Sequence, residues 1–182
     1  MKIIETKIKD LYILEPSVFG DDRGWFSESY NKSKLEALGV YIDFIQDNHS
    51  LSIEKGVLRG LHLQTSPKAQ TKLVRCTRGR ILDVAVDLRK KSPTYLKSFS
   101  IELSADNKRQ LLVPKGFAHG FVTLEENTEV QYKVDEYYFK EHDRSIKYND
   151  SIFNINWGTR DVILSEKDKN APLYNDSDVS FE

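Results

Sequence analysis

RILDVAVDLR (80–89) sets its even positions, Leu82, Val84, Val86 and Leu88, on one side of an extended chain. Asp83 and Asp87 take the other side, with Ile81 and Ala85 between them. A period of two belongs to a strand, whose successive side chains face opposite ways. KLVRC (72–76) precedes this run, and KSFSIELS (97–104), RQLLVP (109–114) and FVTLEENTEVQYKV (121–134) follow it at close intervals. Many short strands without intervening helices predict an all-β sandwich or jelly roll, not a parallel α/β sheet. One short helix is expected at 32–38, with Asn31 as its N-cap and Gly39 as its stop. The segment from about 140 reads as irregular and closes in a second short helix after Ser165. No repeat or linker divides the chain, so residues 1–182 are read as one domain.

The bulk composition narrows the function. Twenty-seven Lys and Arg against 28 Asp and Glu leave a formal charge of −1. That balance provides no general field for nucleic acid or an anionic membrane, so an anionic ligand must meet locally placed cations. The single cysteine, Cys76, has no internal partner and fits a reducing compartment. No window approaches the about 18 apolar residues of a membrane span, and the N-terminus does not read as a signal peptide. A cytoplasmic protein is expected.

Two histidines focus the chemistry. GVLRGLHLQ (56–64) places His62 in an apolar strand, with Arg59 before it and Gln64 after it. VPKGFAHGF (113–121) supplies His119 in a Pro-x-Gly-x-x-His turn. Metal-binding barrels pair such a turn with a His-x-His strand. Gln64 occupies the second position of that pattern here, and an amide is a poor substitute for imidazole, so no metal is expected. Both histidines could instead be satisfied core residues. Against that reading, consistent alternation also turns Arg59, Lys72 and Tyr132 inward, and unpartnered buried cations cost several kcal/mol each. A wet pocket for an anionic ligand accommodates them better. A histidine can take a proton from carbon beside a carbonyl, a lysine can stabilise the resulting enolate, and a tyrosine can return a proton to the other face. Base and acid on opposite faces are what inversion of a stereocentre requires.

These residues, together with DDRGWFSE (21–28), QDNHS (46–50), ILDVAVDLRKKSPTY (81–95), NDSIFNINW (149–157) and SEKDKNAP (165–172), resemble the dTDP-4-dehydrorhamnose 3,5-epimerase family. The likeness runs from about Asp21 to Pro172. It implies a cupin-like jelly-roll barrel with a few short peripheral helices. It also implies a homodimer that exchanges N-terminal strands, a nucleotide-sugar substrate and no cofactor. Under the resemblance His62 is the base, oriented by Asp168; Lys72 stabilises the enolate and Tyr132 is the proton donor. Arg59 and Lys167 contact the diphosphate, and Gln46 and Asn48 read the thymine and sugar edges. His119 lines the pocket, Tyr138 stacks on the base, and Asp143 is an acidic contact. Arg23 and Glu28 belong to a substrate-binding segment that reaches the partner's pocket. Leu96 stands where a glycine is common, Gly158 where proline is expected and Tyr148 where tryptophan is frequent. His49 reads as a bystander and His142 as a solvated loop residue. Three alternatives remain open: a single-centre epimerase on a related nucleotide-4-ketosugar, a non-catalytic sugar-nucleotide-binding cupin, and a metal-dependent dioxygenase cupin.

Overall fold

In the computed structural model, which describes residues 1–182, the alternating run at 80–89 becomes a strand from Arg80 to Asp87. Numbered in chain order, the N-terminal elements are β1 (Lys2–Glu5), β2 (Tyr12–Glu15), β3 (Val18–Asp21), β4 (Gly24–Ser27) and helix α1 (Lys32–Ala37). The central strands are β5 (Gln46–Ser52), β6 (Leu58–Gln64), β7 (Lys72–Arg78), β8 (Arg80–Asp87) and β9 (Ser98–Ser104). β10 (Gln110–Val113), β11 (Phe117–Thr123), β12 (Thr128–Val134), β13 (Asp143–Ser145) and the one-turn helix α2 (Glu166–Lys169) complete the set. Six strands form one sheet in the order β1-β2-β10-β7-β12-β5, and five form a second in the order β13-β6-β11-β8-β9. β3 and β4 stand apart as a hairpin. From β5 to β12 the chain passes back and forth between the two sheets, which is the double-stranded jelly roll expected from the strand pattern.

Two strand expectations need correction. FVTLEENTEVQYKV is two strands, not one run, because Glu125-Glu126-Asn127 turns the chain between β11 and β12, with Asn127 in a left-handed conformation. His119 also lies within β11 itself; only Pro114 and Gly116 belong to the preceding turn. Both helix expectations hold. The Asn31 side chain accepts from the Lys34 N–H to cap α1, and Ser165 accepts from the Asp168 N–H to cap α2.

Three apolar clusters explain the layers. Val74, Cys76, Leu111 and Val130 of the larger sheet meet Ile81, Ala85, Leu103, Phe117 and Phe121 of the smaller one, filling the space between them. Leu61, Leu63, Val84, Val86 and Val122, on the outer face of the smaller sheet, pack under Phe153, Trp157 and Tyr174 of the irregular C-terminal segment. α1 covers the outer face of the larger sheet through Leu35, against Leu14, Leu73 and Leu112. Hence β8 is buried on both faces: its odd side, Ile81, Asp83 and Ala85, looks between the sheets, and its even side lies under the C-terminal cover. Asp87 closes this strand, accepting from Arg89, Ser92 and Thr94 and so fixing the loop that follows. Leu96, where a glycine is common, has φ of 62°, the left-handed region that glycine adopts without strain.

Candidate active site

The expectation that alternation alone turns Arg59 inward beside His62 needs correction, because residues three apart on a regular strand face opposite ways. The register shows how both come inward. His119 of β11 lies opposite His62, whereas Phe121, two residues on, lies opposite Arg59. β6 therefore carries one extra residue here, a bulge. It falls at Gly60, whose φ of 138° is open to glycine alone and whose Cβ, if present, would come within 2.5 Å of the Gly120 Cα. Two glycines facing each other let β6 and β11 approach closely, which sets His62 and His119 side by side.

On the larger sheet, Lys72 and Val74 of β7 lie opposite Val134 and Tyr132 of β12, so Lys72 and Tyr132 share the inward face. The result is a cavity of about 400 Å³ between the sheets. Its polar wall holds Arg59, His62, Lys72, His119, Tyr132 and Asp168. Val57, Leu58, Phe121, Ile163 and Leu164 make its apolar wall, and Ser50 and Ser165 stand at the edges. Sequence reasoning did not single out the apolar wall, since such residues carry no signature beyond their burial.

The electrostatics assign capacities to the polar groups. Asp168, on α2, lies 2.5 Å from His62 Nε2. Burial pushes its carboxyl up, but hydrogen bonds from His62, Ser165 and the Gly60 N–H and the charge of His62 outweigh this and hold it below the ordinary value. An ionised Asp168 therefore accepts the ring N–H, and the other imidazole nitrogen is left as a base facing the cavity. Lys72 Nζ donates to the His62 carbonyl at 3.5 Å. Burial lowers its pKa to about 8, against the opposing pull of Asp83 and Asp143. Burial raises the Tyr132 phenol, so at neutral pH it keeps its proton and can give it. His119 Nε2 is 2.8 Å from Asp83 Oδ1, making a second histidine–aspartate pair behind the cavity wall. Asp83 was legible as a polar interruption in 80–89 but not as this partner.

The other expected site residues separate into three groups. Arg59 is exposed at the rim and donates only to Ser52 Oγ and the Leu51 carbonyl, so its charge faces no carboxylate within salt-bridge range. Gln46 and Asn48, hydrogen-bonded to each other at 2.8 Å, lie on β5 opposite Val134 and Tyr132 and extend the same face. Lys167 pairs with Asp143 at 2.5 Å, and Tyr138 donates to Asp143 at 3.4 Å, forming an outer rim on β13 and α2. Arg23 and Glu28 are not brought to this cavity within the chain. Arg23 pairs with Asp21 at the tip of the β3–β4 hairpin, and Glu28 accepts from Lys34 and Asn31. His49 bonds Glu129 on the outer face of the sheet. His142, expected on a solvated loop, is instead half-buried with Nδ1 3.0 Å from Thr65 Oγ1. No group of three or more His, Cys, Asp or Glu side chains is arranged to hold a metal ion, and no helix is long and apolar enough to cross a membrane.

Known proteins share this fold over nearly the whole chain. The family model for dTDP-4-dehydrorhamnose 3,5-epimerase matches residues 5–176. The enzyme of that name from Escherichia coli K12 is 54% identical over 171 residues, 93% of this chain and 92% of its own. A crystal structure of the Bacillus anthracis enzyme with TDP and PPi bound superposes with a TM-score of 0.93 at 57% identity, covering 94% of this chain and 98% of that one. The Legionella pneumophila enzyme in complex with dTDP-4-keto-L-rhamnose gives 0.93 at 46% identity, covering 97% and 94%. With its pocket of base, phenol and ammonium set in a cupin-like jelly roll, the chain belongs to the dTDP-4-dehydrorhamnose 3,5-epimerase family.

Proposed function

We propose that this protein inverts C3 and C5 of dTDP-4-keto-6-deoxy-D-glucose to give dTDP-4-keto-L-rhamnose. Both carbons flank the C4 ketone, so their protons are acidified by the same carbonyl. His62 takes the proton from one face, and the electron pair moves into the carbonyl to make an enolate. Lys72 stabilises the enolate oxygen as an ammonium. Tyr132 then protonates the carbon from the opposite face, and the pair is reset through solvent before the second centre reacts. Oxidation state is conserved at every step, so the balance asks for no redox partner.

The observation that carries this reading is the opening of His62, Tyr132 and Lys72 into one cavity. NMR of product formed in deuterated water tests it. Label at C3 and C5 supports double inversion, label at one carbon marks a single-centre epimerase, and no label removes the enzymatic reading.

The rim suits the rest of the substrate. The Arg59 fork matches paired diphosphate oxygens, and Lys167 adds a second cation. Gln46 and Asn48 read the thymine and sugar edges, Tyr138 stacks on the base, and Asp143 orients the two rim donors. His119 lines the inner wall beside the sugar. The hairpin displays Phe19, Trp25 and Phe26, each more than 60% exposed, an apolar patch that within the chain meets only the Lys108 ammonium, 4.4 Å over the Trp25 ring. In a homodimer it packs on the neighbouring copy and delivers Arg23 and Glu28 to that copy's pocket. Sedimentation equilibrium tests this arrangement; a monomer removes it. A cytoplasmic setting accords with the lone, buried Cys76.

A further inference from the structure

Asp83 is fully buried, and the two oxygens of its carboxyl are used differently. Oδ1 accepts from His119 at 2.8 Å. Oδ2 is shut away from water without a hydrogen-bond partner. Buried polar atoms are nearly always paired, and an orphaned carboxylate oxygen in a closely packed strand is costly to keep. The same side of β8 carries Ile81 and Ala85, so an apolar residue would pack there without that cost. A charge retained at such a place answers another charge.

The charge it answers is Lys72. Asp83 is the foremost of the groups opposing discharge of that ammonium. The groups facing Lys72 come from every neighbouring element: Asp83 on β8, Asp143 on β13, Lys167 on α2, the His62 carbonyl and imidazole on β6, His119 on β11 and Tyr132 on β12. Asp143 is engaged by Lys167, which leaves Asp83 as the carboxylate without a cationic Lys or Arg of its own. On the larger sheet, Cys76 is the other titratable group within its field, and burial keeps that thiol neutral, raised to about 11.

We propose that Asp83 is a positioning residue of the epimerase reaction, fixing His119 with one oxygen and setting a buried negative charge behind Lys72 with the other. This rests on the functional reading above. It gives the second histidine–aspartate pair a task distinct from that of the first. The pair anchors the side of the pocket where the enolate oxygen forms, and its carboxylate never touches substrate.

Asp83→Asn tests the assignment, because it keeps an acceptor for His119 while removing the charge. Solvent-deuterium uptake by the wild-type protein is measured first; if there is none, the functional reading and this inference fall together. With wild-type exchange in hand, the basic limb of kcat/KM in Asp83→Asn moves to lower pH by about one unit, since Lys72 loses an opposing charge. At neutral pH kcat drops about twofold, with KM changed less, since about half of the Lys72 ammonium is then lost. Asp83→Glu, which restores the charge, returns the limb to its wild-type position. A limb unmoved in Asp83→Asn overturns the inference and leaves the functional reading intact. Asp83→Ser is the reserve neutral variant. Failure of both neutral variants to fold, beside an Asp83→Glu of full activity and unchanged limb, also overturns it, because the charge then serves the fold alone.

Discussion

The two histidine–aspartate pairs share a cavity wall yet differ in almost every physical respect. In the first, the His62 side chain is 32% exposed and its carboxylate comes from α2, far along the chain. In the second, His119 is 8% exposed and its carboxylate sits on the adjacent strand β8, deep between the sheets. An imidazole open to the cavity can exchange a proton with a substrate and then with water. An enclosed one, held by a carboxylate fixed in a central strand, is suited to holding a hydrogen bond in place. The same pair of residue types is therefore suited to proton transfer or to orientation according to solvent access and the rigidity of its support.

Replacing His62 by Ala gives the strongest test of that division. Deuterium exchange at both carbons is expected to fall by about 10²–10⁴-fold, while TDP binding, measured by calorimetry, stays within a few-fold of the parent. His119→Ala should retain exchange at a reduced rate and weaken binding. If the two variants are equally dead, the division between mobile and fixed pairs is wrong.

Asp168→Asn sharpens the same contrast at its carboxylate. The amide no longer stabilises the imidazolium, and kcat is expected to drop about 100-fold with little change in KM. The loss should deepen toward neutral pH, where the wild-type pair works as base and anion together. A variant of unchanged kcat would mean that burial, not the dyad, orients His62.

Lys72 stands between the pairs and adds a pH dependence. Its folded pKa, about 8, lies below the ordinary 10.5. The ammonium form is the one that stabilises an enolate, so kcat/KM should fall above pH about 8. The same shift has the opposite sign for stability. A cation whose pKa is depressed by folding costs free energy in full below about pH 8, and this cost fades as pH rises toward 10.5. Lys72→Met should thus abolish exchange and raise stability near neutrality by less than about 2–3 kcal/mol, because the buried Asp83 carboxylate loses its opposing charge. Thermal denaturation checks it; a lower Tm would show that the ammonium is better paired in the fold than its burial implies.

The contrast between the pairs also explains what could be read in advance. His62, Lys72 and His119 were legible because they interrupt apolar, alternating strands, where a polar inward residue needs a reason; Tyr132, taken alone, reads as an ordinary strand aromatic, and only the resemblance gave it a role. Asp168 became legible through the motif resemblance alone, since nothing local ties a one-turn helix to a strand more than a hundred residues earlier. Asp83 was visible as a face of β8, but its partner depends on strand pairing, which a single sequence does not encode in any local pattern. The C-terminal cover was read as irregular and is so. Its burial of Phe153, Trp157 and Tyr174 has no period, so its role as the second wall of β8 was hidden. The break in β6 was hidden too: strict alternation separates Arg59 from His62, and the bulge that reunites them is marked by one glycine.

That glycine contact leads to the mildest test. The distance between the pairs is set where Gly60 of β6 meets Gly120 of β11. A Cβ at Gly120 would lie 2.8 Å from the Arg59 carbonyl oxygen and 3.0 Å from the Gly60 Cα. Backbone on both sides leaves no flexible side chain to move, so Gly120→Ala must part the two strands by some tenths of an ångström. Stability should fall by about 1–3 kcal/mol, and kcat by several-fold to about tenfold, because His62 shifts relative to a Lys72 anchored on the other sheet. Gly158→Ala is the contrasting control: its φ of 72° favours glycine, unlike the backbone at Gly120, but a Cβ there meets nothing within 4 Å. It should cost about 1 kcal/mol of stability and leave kcat alone. If both variants lose stability and neither loses turnover, the close approach of β6 and β11 serves packing only, and the spacing of the two pairs is not what tunes the reaction.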